Sequence, residues 1–310
     1  MDVLSQILQT VRLRGSLYFR TEFDPPWGVR VPPYRNVARF HLVIRGECWV
    51  RIPGADKSVL LGPGDLVVIP HGAEHVLSDA RDSPAVAVDE VVRNAGFTGD
   101  GALVYGGLSS GRATNLVCGH FQFDEEAIHP VLQALPPYIH VRGSDSLNYT
   151  WLDNAMRFIG LEAWSGRAGS DAIVHRLSEI VFIQVVRAYL DQAGERAPGL
   201  AAIADPQISR ALSLIHTTPR ARLTLELLAR EAAMSRTQFA QRFRELMGMT
   251  PMDYLTFWRM QLARHRLADG AGNIVEVAAD TGYASEAAFS RAFQKTFGMN
   301  PSAYRRRARA

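Results

Sequence analysis

Cysteine is nearly absent: Cys48 and Cys118 are the two in 310 residues. Two thiols are too few for a disulfide framework, and they fit a reducing compartment. Long apolar runs are missing too. Although 47% of the residues are hydrophobic, no run reaches the roughly 18 residues a membrane span needs. The opening MDVLSQILQT has no basic segment followed by an apolar core, so no secretory signal is read there and the expected location is the cytoplasm. An excess of one charge is also lacking, since 34 Lys and Arg against 31 Asp and Glu leave a net of +3. At about 150 residues per domain, the length allows two domains.

The small net charge conceals an uneven distribution. Residues 206–310 hold 16 Lys and Arg against 8 Asp and Glu, a net of +8, whereas residues 1–205 hold the other 18 against 23, a net of −5. A basic third on an acidic remainder points that third toward a polyanion; a solvated basic surface is the plainer reading.

Three zones follow along the chain. Residues from about 10 to 125 read as strands and turns: FHLVIRGECWVRI from Phe40, then KSVLLGPGDLVVIP with Gly62-Pro63-Gly64-Asp65 between two apolar runs, then TNLVCGHFQFD. Closely spaced short strands predict a sandwich or barrel. From about 145 to 192 the period becomes helical, with Trp151, Ala155, Phe158, Ile159 and Glu162 on one stripe and Ala172, Leu177, Ile180, Val181, Val185 and Leu190 on another. AGERAPGLAAIAD (193–205) is the linker candidate, and everything beyond it reads as helix.

The last zone repeats itself at an offset of 50 residues. Ala229 matches Ala279, Ser235 matches Ser285, Phe239 and Phe243 match Phe289 and Phe293, Gly248 matches Gly298, Pro251 matches Pro301 and Tyr254 matches Tyr304. In each copy an apolar helix ends at a tight turn. A Ser stands at the next N-cap, a second helix buries a Phe pair four residues apart, and a Gly stops it. Helix, turn and capped second helix make a helix-turn-helix, whose second helix enters the major groove. An αα-hairpin used only for packing is the alternative, and two copies at fixed spacing in a +8 segment weigh against it.

The doubled unit resembles the AraC/XylS family of transcription regulators, and DTGYASEAAFSRAFQKTFGMNPSAYRR is close to that family's signature. By resemblance, 253–269 is the long helix joining the two units, with Trp258, Leu262 and Leu267 toward the core. The residues that would read DNA are Arg236, Thr237, Gln238 and Gln241 in the first unit and Glu286, Ala287, Ser290 and Arg291 in the second. Lys295 and Arg305-Arg306-Arg307 would meet phosphate.

In the strand zone, Gly64 through His75 is similar to the second cupin motif. Phe40-His41 to Cys48-Trp49 stands in the first motif's place but has one His where metal cupins show a pair. The set Phe40-His41, Cys48-Trp49, Cys118-Gly119 and Leu135-Pro136 resembles the sensor half of AraC-like regulators. His41, His75, Cys118 and His120 are donors of the type Zn²⁺ or Fe²⁺ takes. Without metal, they line a pocket for a polar ligand and Cys118 is a small buried hydrophobe. His71 is read as outward or at the rim. Cys48 and Cys118 would make a redox pair only if their pKa values were lowered, and no basic neighbour is visible.

The expected architecture is α+β. A cupin-like barrel over 1–144 senses a small molecule or metal, a helical connector over 145–205 carries dimerisation, and an all-α domain with two helix-turn-helix units occupies 206–310. No cofactor is certain and no catalytic residue is assigned. The partners are double-stranded DNA, an effector, a second copy of the chain and, for an activator, RNA polymerase; no membrane is expected. The rival readings are a cupin enzyme or metal-binding module fused to a DNA-binding domain, and an adaptor built on the helices.

Overall fold

The computed structural model describes the chain apart from residues 1, 12–13, 55–56, 100, 108–112, 125–128, 144–153, 156, 160, 163–164, 194–198 and 310. Trp151 of the first helical stripe lies outside the described residues. No described helix is long and apolar enough to cross a membrane. Two compact units divide the chain: Met1–Val11, Ala127–Ala134 and Ala193–Ala310 form one, Arg12–Glu126 and Leu135–Gln192 the other.

The second of these is the β unit. Its strands are β1 (Arg14–Asp24), β2 (Gly28–Val31), β3 (Val37–Arg45), β4 (Cys48–Arg51), β5 (Val59–Leu61), β6 (Leu66–Ile69), β7 (His75–Ser78), β8 (Val86–Ala87), β9 (Ala102–Gly106), β10 (Thr114–Gln122) and β11 (Ile139–Val141). They make a six-stranded sheet in the order β11-β6-β3-β10-β1-β9 and a five-stranded sheet in the order β5-β4-β7-β2-β8. Between them lies a core of Phe23, Trp27, Val43, Val50, Leu61, Val67, Leu77 and Leu116.

Strand β3 is buried from Val37 to Val43 without alternation, which means both faces are covered. The outer cover is a helix of Ser170–Ala193: the Phe40 and Phe121 rings are 5.0 Å apart, and Phe182 lies 4.9 Å from Phe121 and 5.6 Å from Phe123. The helix buries Val174, Ser178, Val181, Phe182, Val185 and Val186 and leaves Ile173 and Ile180 exposed. Val181 and Val185 of the expected stripe are therefore inside and Ile180 is out. The apolar surface spans more than one face, and periodicity alone did not show which face meets the sheet.

The α unit holds the repeat. Numbering in chain order the helices whose bounds are described, α1 (Val3–Val11), α2 (Val88–Asn94), α3 (Pro130–Gln133) and α4 (Ser170–Ala193) are followed by α5 (Leu200–Ala204), α6 (Pro206–Thr217), α7 (Leu225–Glu231), α8 (Arg236–Met247), α9 (Pro251–Ala268), α10 (Ile274–Asp280), α11 (Glu286–Phe297) and α12 (Pro301–Arg309). Helices α1 and α3 belong to this unit although they flank the strand zone, so it is not simply the span 206–310. The apolar face of α1 buries Val3, Leu4, Ile7, Leu8 and Val11. Leu200, Ala201 and Ala202 of the expected linker are buried in α5.

One buried hydrogen-bond chain shows how these segments interlock. Gln6 Oε1 accepts from His216 Nδ1 at 3.1 Å, so His216 Nε2 is the acceptor for the Tyr254 hydroxyl at 2.8 Å. That hydroxyl accepts from His129 Nε2 at 3.2 Å, and His129 Nδ1 accepts from the Val131 amide at 3.2 Å. Each ring nitrogen has one role, the Tyr254 hydroxyl both donates and accepts, and both imidazoles are neutral. Burial depresses both to about 3. His216 also stacks on Trp258 with centroids 3.7 Å apart.

Candidate nucleic-acid interface and sensor cavity

Each second helix of the repeat begins at a serine. Ser235 Oγ accepts from the Gln238 amide and Ser285 Oγ from the Ala288 amide, so each cap satisfies one orphan N–H. Gly248 and Gly298 close the helices at φ 79° and 73°, in the left-handed region where an L side chain is strained. Inside, the Phe239/Phe243 and Phe289/Phe293 pairs are fully buried. The two preceding turns differ: Ala232–Met234 joins α7 to α8, whereas Thr281–Ala284 joins α10 to α11 with one residue more. The shorter turn puts Ala233 at φ 52°, and the longer gives that strain to Gly282 at φ 80°.

Opposite the buried phenylalanines, Arg236, Thr237, Gln238 and Gln241 of α8 are exposed, as are Glu286, Ala287, Arg291 and Lys295 of α11, with Ser290 half-buried. Two of the expected reading groups are already engaged. Arg236 Nη1 pairs with Glu226 at 2.9 Å, and Gln241 Nε2 donates to Glu245 Oε1 at 2.9 Å. In α12, Arg306 and Arg307 are exposed and Arg305 is half-buried. Of the three residues expected to face the core from α9, Trp258 and Leu267 are buried and Leu262 is half-buried.

Within the β unit, His41 and Cys118 are register partners on β3 and β10, and His75 reaches them from β7 of the other sheet. His75 Nδ1 donates to the Ala73 carbonyl at 2.8 Å. Its Nε2 must then accept from His41 Nε2 at 2.8 Å, which leaves His41 Nδ1 to accept from the Cys118 thiol at 3.0 Å. These three side chains thus satisfy one another. Burial lowers both histidines, His75 to about 4, and raises both thiols, Cys48 to about 12. Such thiols are not the thiolates that redox exchange uses.

The same geometry does not fit a single metal ion. Two nitrogens on one Zn²⁺ stand roughly 3.3 Å apart, given bonds of about 2.0–2.1 Å. The two Nε2 atoms are closer, and Cys118 lies off the opposite ring nitrogen of His41. Among the described residues no group of three or more His, Cys, Asp or Glu is placed to hold a metal. His120 is half-buried two positions along β10, with its imidazole lowered to about 4 by burial. His71 is exposed, and its Nε2 donates to the Leu135 carbonyl at 2.8 Å.

Beside the histidines is a cavity of about 110 Å³, lined by Thr21, Phe23, Val31, Arg39, His41, Leu77, Leu103 and Cys118 among others. Arg39 was not singled out from sequence. It is buried, with its guanidinium 4.0 Å from the Tyr34 ring centroid. The signal was present, since Arg39 stands two residues from His41 in VARFHLVI and a strand puts such residues on one face.

Residues 2–191 match a cupin family model and residues 228–307 a helix-turn-helix domain model. An AraC-like transcription regulator of Streptomyces lividans is 31% identical over 315 residues, covering 99% of this chain and 98% of the relative. The HTH-type transcriptional regulator AlkR of Acinetobacter baylyi is 29% identical, covering 99% and 100%. Among solved structures, the DNA-binding domain of AdpA in complex with a target DNA is 31% identical, with a TM-score of 0.32, and covers 34% of this chain and 94% of its own. Two capped recognition helices in one unit, paired sheets in the other and full-length likeness to such regulators lead to one family: the chain belongs to the AraC-like transcription regulators, with a cupin domain ahead of its helix-turn-helix DNA-binding domain.

Proposed function

We propose that this regulator reads a two-part DNA site with α8 and α11 and that a small molecule in the barrel cavity controls the reading. The observation that carries the DNA half is the pair of helices, each with an exposed polar face opposite a buried Phe pair. Two recognition helices on one linker helix suit successive major grooves, with subsites about 34 Å apart. Footprinting on a duplex selected in vitro tests this, and a single compact subsite per monomer would sink it.

For the effector, the cavity beside His41 and Cys118 supports a small, largely apolar molecule with one polar group facing Arg39. Zn²⁺ or Fe²⁺ is the other occupant the donor set suggests, and the self-paired histidines favour the molecule. Mass spectrometry of what co-purifies, with metal analysis after chelator-free preparation, separates the two. Metal below about 0.1 equivalent supports the molecule. Occupancy changes transcription only by favouring one arrangement of the chain over another.

The reading is of a regulator and not of a cupin enzyme; full-length likeness to transcription regulators supports it. A homodimer is also proposed. Exposed Ile173 and Ile180 lie two turns apart on α4, and Phe158 and Leu161 are exposed nearby in sequence. Light scattering on Ile173→Asp/Ile180→Asp tests it, and an unchanged mass would remove this face from the interface. Contact with RNA polymerase is proposed only for an activating role.

A further inference from the structure

The two helix-turn-helix units are joined by more than the helix between them. After α6 the chain turns through Thr218–Thr224 before α7 begins. This turn is part of the first unit, yet its partners lie on α9 and at the end of α10. Arg259 of α9 donates from Nε to the Pro219 carbonyl at 2.8 Å and from Nη2 to the Ala221 carbonyl at 2.9 Å. Arg220 pairs with the Asp280 carboxylate and donates through Nε to the Asp280 carbonyl at 3.2 Å. The other oxygen of the same carboxylate pairs with Arg266 of α9. Asp280 therefore ties together the turn of the first unit, the linker helix and the first helix of the second unit.

Close packing follows the same line. Gly282, just past Asp280, has φ 80°, and a Cβ there would come within 2.6 Å of the Pro219 carbonyl and 2.8 Å of Arg259 Nη2. A backbone conformation that glycine tolerates and a space that only glycine fits coincide where the two units touch. Tyr283 continues the contact, with the Arg259 guanidinium 5.9 Å from its ring centroid. None of these residues lies on the exposed faces of α8 and α11.

We infer that Asp280, Arg220 and Arg259, with Gly282, are positioning residues that hold the two recognition helices at one fixed separation and angle, so that the protein accepts one spacing between its DNA subsites. This rests on the two-part docking proposed above. A single exposed ion pair would not do it, because solvent screening and side-chain entropy offset most of its attraction. Here one carboxylate takes two guanidiniums, and a third guanidinium takes two carbonyls of the same turn, so sliding one unit along the other breaks several bonds together.

The test uses the full chain and duplexes selected from a random library by the full chain, resynthesised with one or two base pairs added or removed between the subsites. Each base pair rotates one subsite by roughly 35° and moves it by about 3.4 Å. Affinity is read by fluorescence anisotropy at fixed salt. The unaltered protein is expected to bind the respaced duplexes roughly tenfold or more weakly, like a mismatched site. Asp280→Asn and Arg220→Gln are expected to narrow that ratio to within about threefold, chiefly by losing affinity for the original spacing. Arg220 is largely exposed, so Arg220→Gln leaves the fold intact even if Asp280→Asn or Gly282→Ala does not. Weaker binding to every duplex with an unchanged ratio would make these residues ordinary phosphate or stability contacts and overturn the inference. So would unchanged binding throughout. If the unaltered protein is indifferent to spacing, the inference fails, and the footprint shows separately whether two-part docking fails with it.

Discussion

His41 touches Cys118 on one ring nitrogen and His75 on the other, and His75 is anchored in turn by the Ala73 carbonyl. Because each role is forced by its neighbour, removing one member strands another. His75→Ala leaves the buried His41 Nε2–H without an acceptor, at a cost of about 1–3 kcal/mol beyond the lost packing. Urea unfolding is expected to show that loss, with DNA affinity without effector retained and effector response abolished. A variant that responds normally would remove the site from consideration. On the DNA side, Gln241 is exposed and held by Glu245, and its amide suits adenine N6 and N7. Gln241→Ala is expected to cost about 1–3 kcal/mol and to relax preference at one base position. Anisotropy across single-base variants of a selected duplex checks this, and a uniform response across the panel would mean the docking is wrong. Lys295→Ala is expected instead to lower the salt slope by about one without touching base preference.

The recognition helices are set by their ends more than by their middles. Gly248 lies in the left-handed region, and a Cβ added there would meet nothing within 4 Å, so substitution is penalised by conformation alone. Gly248→Ala is expected to destabilise by about 1–2 kcal/mol, and Gly248→Asn by less, because asparagine visits that region more readily. Equal losses in thermal or urea unfolding would contradict this account. These ends were legible because their chemistry is local: Ser235, Ser285, Gly248 and Gly298 act within one turn of where they stand. Helix α4 was less legible. Its buried face is chosen by Phe121 and Phe123, residues about sixty positions before Phe182, and its own spacing fits more than one stripe.

Across the whole molecule, neutral histidines in both units make stability depend on pH. His75 and His120 stand near 4 and His129 and His216 near 3, all lowered chiefly by burial from 6.5. With the folded values depressed, the unfolded chain binds more protons below about 6.5, so the folded state loses ground as pH falls from there toward 4. A melting temperature flat above about pH 7 and falling steadily from 6.5 is the expected outcome. A flat profile down to pH 5 would mean these rings are charged in the fold.

Several things were legible in the sequence on its own: the tandem helix-turn-helix with its caps, the basic third, the strand-rich first half and three of the four candidate donors, His41, His75 and Cys118 but not His120, as a group. All rest on local chemistry, periodicity or repetition, which a linear string records. What required the tertiary structure was which distant groups meet. Asp280 and Arg220 are sixty residues apart and meet only because α9 returns the second unit to the turn of the first. Three of the four donors expected at an ion, His41, His75 and Cys118, are strung into a hydrogen-bond chain because β3 and β10 are in direct register while β7 lies in the other sheet. Gln6 and His129, on either side of the strand zone, join the DNA-binding unit because their partners His216 and Tyr254 are buried there. Burial makes each of these pairings matter, and burial is decided by the whole chain at once.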